Sequence, residues 1–164
     1  ADFAGLWRHE DDQDPMCVKS RTGYVFTIAG CPVSWASKLQ TEIALSTLEA
    51  EYIALSTAMQ EFLPLRRLFK EIGEKMNLQL EEKGLLHSTI FEDNNGALGL
   101  ATSPKMTPRT KHIAVKYHFF KDHIGEEKGI RIVRVDTEFQ KADIFTKGLP
   151  FVDFERIRGL LLGW

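Results

Sequence analysis

The stretch that most limits what this chain can become is Leu85–Leu100, LLHSTIFEDNNGALGL. An apolar run leads to Asp93, and two asparagines then begin a helical pattern. A buried strand that ends in an acid and turns into a helix places that acid at the rim of a sheet. Open α/β sheets hold their ligands at that rim. One acid there can be only a cap, so its weight depends on others that can meet it.

The length of 164 residues predicts one domain with a core large enough to stand alone. Hydrophobic residues at 43% and charged residues at 27% fit an ordinary globular chain. No apolar run approaches membrane-spanning length, and no basic-plus-apolar leader precedes the fold, so no membrane partner is expected. Cys17 and Cys31 have no metal-like spacing and read as reduced thiols of an intracellular protein. The net charge of −2 does not mark a nucleic-acid binder, and the distribution of charge tells more than its sum.

Residues Gly23–Ala29 and Pro32–Ser37 are β-branched and aromatic runs around Gly30, the pattern of a hairpin. Tyr24 and Trp35 alternate with core residues and read as packing, with stacking on nucleic acid as the other reading of Trp35 at its strand end. The loop 38–45 keeps Ile43 and Leu45 for the core. Ser46 and Glu49 have capping-box spacing, and Leu48, Tyr52, Leu55, Met59 and Phe62 form one face of a long helix. Pro64 should kink that helix or end it locally, and Gly73 is a plausible C-cap. Residues 74–84 read as a linker, and a strand and a short helix ending near Ala101 follow. Thr102–Pro108 reads as a loop and Lys111–Glu127 as a helix. Ile130–Val135 is the last strand. Thr137 and Gln140 suggest a capping box that opens a helix over 138–147, and Phe151–Leu162 is a closing amphipathic helix after Pro150. The order predicts α/β architecture, a mixed sheet covered by helices.

Three acids stand where they can meet. Asp93 ends its strand. Glu49 can satisfy itself by capping, which leaves Glu51, beside the core residue Tyr52, free to point at the sheet edge. Asp143 lies between Ala142 and Ile144. Asp2 is a fourth candidate. Converging carboxylates without a cysteine or histidine cluster suit a hard cation, Mg²⁺ or Mn²⁺, and two such ions suit phosphodiester hydrolysis. The plainer reading of each acid alone is a cap, a surface charge or a salt-bridge partner. Lys105, Arg109, Lys111, Lys116 and Lys121 form a run without acids that suits phosphate backbones, with His112 and His118 as further donors. Its plainer reading is a solvated helix face. Asn94, Asn95 and Gln40 are candidates to sense a 2′-hydroxyl. His87 reads as a core or surface histidine.

Six words now carry a resemblance: SRTGYVFTIAG (20–30), PVSWASKLQ (32–40), LSTLEAEYIAL (45–55), FEDNNGALGLA (91–101), RTKHIAVKYHFFKDHI (109–124) and TEFQKADIFTKGL (137–149). In this order and spacing the chain resembles the ribonuclease H domain of copia-type retrotransposon polyproteins over almost its whole length. The resemblance implies an RNase H-like fold, a five-stranded mixed sheet with helices, as one domain of a longer reverse transcriptase polyprotein. It implies hydrolysis of the RNA strand of an RNA–DNA hybrid during reverse transcription, with two Mg²⁺ held by three aspartates and a glutamate. The glutamate falls on Glu51, the central aspartate on Asp93 and the last on Asp143. The family opens on an Asp-x-Asp word whose second acid matches Asp2. The usual first ligand then falls just before Ala1, with the first central strand cut short.

The implied partners are the hybrid and the reverse transcriptase domain. The implied setting is the cytoplasm, with virus-like particles and the nucleus as further settings. Two other readings stand beside this one. The first is an inactive RNase H-like module that binds nucleic acid or supports the polymerase. The second is a related two-metal nuclease with another substrate.

Overall fold

The computed structural model describes residues 1–4, 15–80, 86–103, 113 and 115–164. Strands β1 (Arg21–Ile28) and β2 (Cys31–Leu39) form the expected hairpin. Its two-residue turn has positive φ at Ala29 (50°) and Gly30 (84°), the backbone that matches strand twist in tight hairpins. Thr22 and Tyr24 are buried, with the Tyr24 ring stacked on Phe26 at 4.9 Å and Phe26 at 5.8 Å from Phe62. Trp35 is not packing: it pairs across from Val25 and is 60% exposed.

Helix α1 (Thr47–Lys75) starts where its cap signal stands. The Ser46 hydroxyl accepts a hydrogen bond from the Glu49 N–H at 3.2 Å, while the Glu49 carboxylate accepts from the Leu45 N–H at 2.8 Å. Tyr52, Leu55 and Met59 are buried, and Leu48 and Phe62 pack against the same core. The helix does not end at Pro64. That residue lies on an exposed turn, where the Gln60 carbonyl that loses its partner can meet water. Gly73 is not the cap either. The helix runs on to Lys75, with Met76 as its C-cap, and Gly73 leaves room for Leu80, which would overlap a Cβ there. Ile43 and Leu45 are exposed, and Ala44 between them is the residue that enters the core.

Strands β3 (Ser88–Glu92) and β4 (Ile130–Arg134) pair in parallel, Ile90 opposite Ile132. Arg66 of α1 donates to the carbonyls of Leu86 and Lys128 at 3.2 and 3.1 Å, tying the helix to the entrance of both strands. Helix α2 (Asn95–Thr102) is capped by the Asn94 side chain, which accepts from Gly96 and Ala97. The helix expected at 111–127 is instead a 3-10 helix over Val115–His123, with a second short one over Glu126–Lys128. Tyr117 and Phe120 still point inward from it. Helix α3 spans Phe151–Leu162, as the sequence predicts, and buries Ile157 and Leu161.

The architecture is α/β, but the sheet is in two pieces among the described residues, β1–β2 and β3–β4. Residues 1–4 give β1 one antiparallel bridge, Asp2 with Arg21. A single bridge is too short to join the two pairs into the five-stranded sheet that the resemblance implies. No disulfide joins Cys17 and Cys31. No helix among the described residues is long and apolar enough to cross a membrane.

Candidate metal centre

The centre is built from the ends of elements. Because Glu49 is used at the Leu45 backbone, Glu51 is the acid of α1 left to face inward. It is half-buried and ion-pairs with the Ala1 ammonium. Along β3 side chains alternate, so Phe91 points outward at 56% exposure and Glu92 points inward at 5%. Glu92 accepts a hydrogen bond from the Asn94 N–H at 3.0 Å. Asp93 follows the strand end, and its Oδ2 accepts from the Thr137 hydroxyl at 2.9 Å. One carboxylate oxygen from each of Glu51, Glu92 and Asp93 lies within 4.8 Å of the others.

Asp143 is buried on a short 3-10 helix, Lys141–Phe145, in place of the helix expected over 138–147. A separate 3-10 turn covers Thr137–Phe139. The expected capping box is not made: Thr137 is bonded to Asp93, and Gln140 accepts from the Ala142 N–H at 3.4 Å. Asp143 is ion-paired with Lys147 at 2.6 Å. Asp2 makes its two bonds to Arg21 through the backbone.

Crowding shows in the protonation of these groups. Burial, with Glu51 and Asp93 adding to it, pushes Glu92 up to about 8, against the Asn94 N–H and the Ala1 ammonium. Burial also raises Glu51, opposed by Ala1 and reinforced by Asp93 and Asp143. Asp143 is raised by burial, opposed by Lys147, and raised further by Asp93. Asp143 therefore shares the electrostatics of the cluster, although it is outside the set within 4.8 Å. Close carboxylates disfavour one another's charge, and bringing a cation among them relieves the repulsion. Partly buried oxygen donors without sulfur or imidazole fit a hard divalent ion.

Glu92 is the member that sequence reading missed. A signal was present: it lies two positions after the inward Ile90 and so shares its face. Lys105, Arg109, Lys111 and His112 lie outside the described residues. Lys116 ion-pairs with Glu42 and sits 4.9 Å from the Tyr117 ring centre. Lys121 donates to the Ser103 carbonyl at 3.2 Å. His118 Nδ1 is 2.8 Å from the Tyr52 hydroxyl, and burial lowers its pKa. Gln40 is spent inside the fold, donating to Thr22 and to the Ala50 carbonyl, and Asn94 is spent as a cap. Asn95 accepts from Arg134, and His87 is on the surface.

The hairpin face opposite α1 also positions the centre. A Cβ on Gly23 would lie 2.5 Å from Thr146 Cγ2, 2.9 Å from Phe145 Cβ and 3.1 Å from the Ala142 carbonyl. Those atoms belong to the segment that carries Asp143. Gly23→Ala is therefore expected to cost about 1–3 kcal/mol in urea unfolding and to shift the amide resonances of residues 142–147. An unchanged midpoint would show that this contact is slack.

Comparison with known proteins gives the lineage. The chain is 36% identical over 143 residues to the retrovirus-related Pol polyprotein from transposon TNT 1-94 of Nicotiana tabacum, covering 87% of this chain and 10% of the relative. It is 34% and 32% identical, each over 155 residues, to the Pol polyproteins from transposons RE2 and RE1 of Arabidopsis thaliana. These matches cover 94% of this chain and 10% and 9% of those relatives. The chain thus spans about a tenth of the length of the curated relatives it matches. No family model and no solved structure matches it. Taken with the α/β architecture and the acidic cluster at the strand end, this kinship makes the chain a ribonuclease H-like member of the copia-type retrotransposon Pol polyproteins.

Proposed function

We propose that this domain hydrolyses the RNA strand of an RNA–DNA hybrid in a metal-dependent reaction. The observation that carries the reading is the convergence of Glu51, Glu92 and Asp93 at the end of β3. These three would hold Mg²⁺ or Mn²⁺, with Asp143 and Asp2 as the further acids of a two-ion site. When bound, such ions supply an activated water and stabilise the leaving oxygen. The chain's own residues set the stage. The Thr137 hydroxyl fixes the Asp93 carboxylate, and the Asn94 N–H fixes Glu92, so neither acid has to find its orientation on binding. In this reading the basic run from Lys105 to Lys121 would supply the attraction for a duplex. The domain would work as one part of a longer polyprotein beside its reverse transcriptase domain, in the cytoplasm and in virus-like particles.

The test is cleavage of a labelled RNA–DNA hybrid with Mg²⁺, with duplex DNA and duplex RNA as controls. Cutting of the RNA strand in the hybrid alone is expected, and Asp93→Asn is expected to remove it. Equal cutting of all three duplexes would replace the hybrid nuclease with a nuclease of broader substrate range. Binding of the hybrid without cutting would mark a non-catalytic module.

A further inference from the structure

We infer that Lys147 is the internal counterion of the candidate metal centre. It holds Asp143 when no divalent cation is bound and has to release that acid for cation binding, which lowers the affinity of the site. The inference rests on the metal-centre reading above.

The geometry sets this pair apart from the surface pairs. Lys147 Nζ lies 2.6 Å from Asp143 Oδ2, with side chains 35% and 8% exposed. Arg67–Glu71 and Lys116–Glu42 have both partners largely in solvent, where a pair contributes little. The backbone between Asp143 and Lys147 is also fixed. The Asp143 carbonyl accepts from the Thr146 N–H at 3.0 Å, the Lys147 N–H at 3.2 Å and the Thr146 hydroxyl at 3.1 Å. The ammonium is therefore delivered to a buried carboxylate by a rigid turn.

Its field reaches further than Asp143. Burial disfavours the charge on Lys147, but the bond to Asp143, and after it the charges of Asp143, Asp93 and Asp2, outweigh that cost. One lysine thus answers carboxylates from three separate segments of the chain. Yet the hold is reversible by design of the side chain. A third of it lies in water, and a four-carbon stem lets the ammonium swing out while the stem stays packed. A divalent cation drawn to Asp143 would meet this ammonium at Oδ2 and brings twice the charge. The two cations cannot share that oxygen at close range, so they compete.

The test is calorimetric titration with Mn²⁺ alone, in the absence of nucleic acid, on the full chain. Lys147→Met and Lys147→Gln are expected to bind Mn²⁺ about tenfold more tightly than wild type. Lys147→Arg keeps the cation and is expected to stay within about twofold. In an Asp143→Asn background, Lys147→Met is expected to add less than it does in wild type, because the contact with Asp143 is already gone. Should Lys147→Met not fold, the Gln and Arg variants decide the matter by the same comparison. Wild-type affinity or weaker binding in the Met and Gln variants would overturn the inference while leaving the metal centre standing. No Mn²⁺ binding by wild type or any variant would overturn the metal centre, and the inference with it.

Discussion

Glu92→Gln is expected to stabilise the metal-free chain by roughly 2–5 kcal/mol near pH 9 and to leave it unchanged near pH 4. In the folded chain burial, with Glu51 and Asp93 beside it, raises this carboxyl from 4.5 to about 8. In the unfolded chain it ionises at its ordinary value. The folded state therefore holds the proton more tightly, and the stability this contributes is full below about 4.5. It is lost as the pH rises through about 8. Glutamine carries no charge, and its amide oxygen can still accept the Asn94 N–H that Glu92 accepts. Urea unfolding of both proteins across this range should give curves that coincide in acid and separate in base. A constant difference from pH 4 to 9 would mean that the acids are not crowded in solution.

Phe120→Ala is expected to cost about 3–5 kcal/mol, with the same urea midpoints as the readout. Phe120 is fully buried, 5.5 Å from the Tyr52 ring and 5.9 Å from Phe119. It projects from the 3-10 helix Val115–His123, whose own hydrogen-bond geometry is poor, so this side chain does much of the work of keeping that segment on α1. Truncation leaves a cavity against Tyr52 that a rigid helix face cannot close. A loss below about 1 kcal/mol would show that the segment is held from elsewhere.

How far the sequence spoke depends on whether the deciding force is local. The turn at Ala29-Gly30, the cap at Ser46 and the start of α3 after Pro150 are local events, and each is where its residues predict. Gly73 and Ala44 are not local. Their roles are set by Leu80 and by the core, which no window around them reveals. The segments 115–123 and 137–145 carry helical spacing, but the structure winds them as 3-10 turns because tertiary packing overrides a weak local preference. In the centre, Glu51 and Asp93 were legible from their places at element ends and from the family words. Glu92 is overlooked although strand alternation puts it on the face of Ile90, because the neighbouring acid Asp93 draws the reading to the strand end itself. The engagement of Asp143 by Lys147 was a matter of a turn whose winding the spacing did not give away.

The two strand pairs differ in how much chain each has to close. Ile28 meets Cys31 across a two-residue turn, whereas Thr89 and Arg131 stand 42 positions apart. Loop-closure entropy makes the first pairing quick and the second slow. Glu92 and Asp93 lie at the end of the slow pair, and Glu51 lies on the helix that Arg66 ties to that pair's entrance. Mutual repulsion among these acids is therefore expected to be met late in folding, after much of the apolar surface is buried. An unfavourable cluster that would hinder an early nucleus becomes tolerable as a last step of assembly.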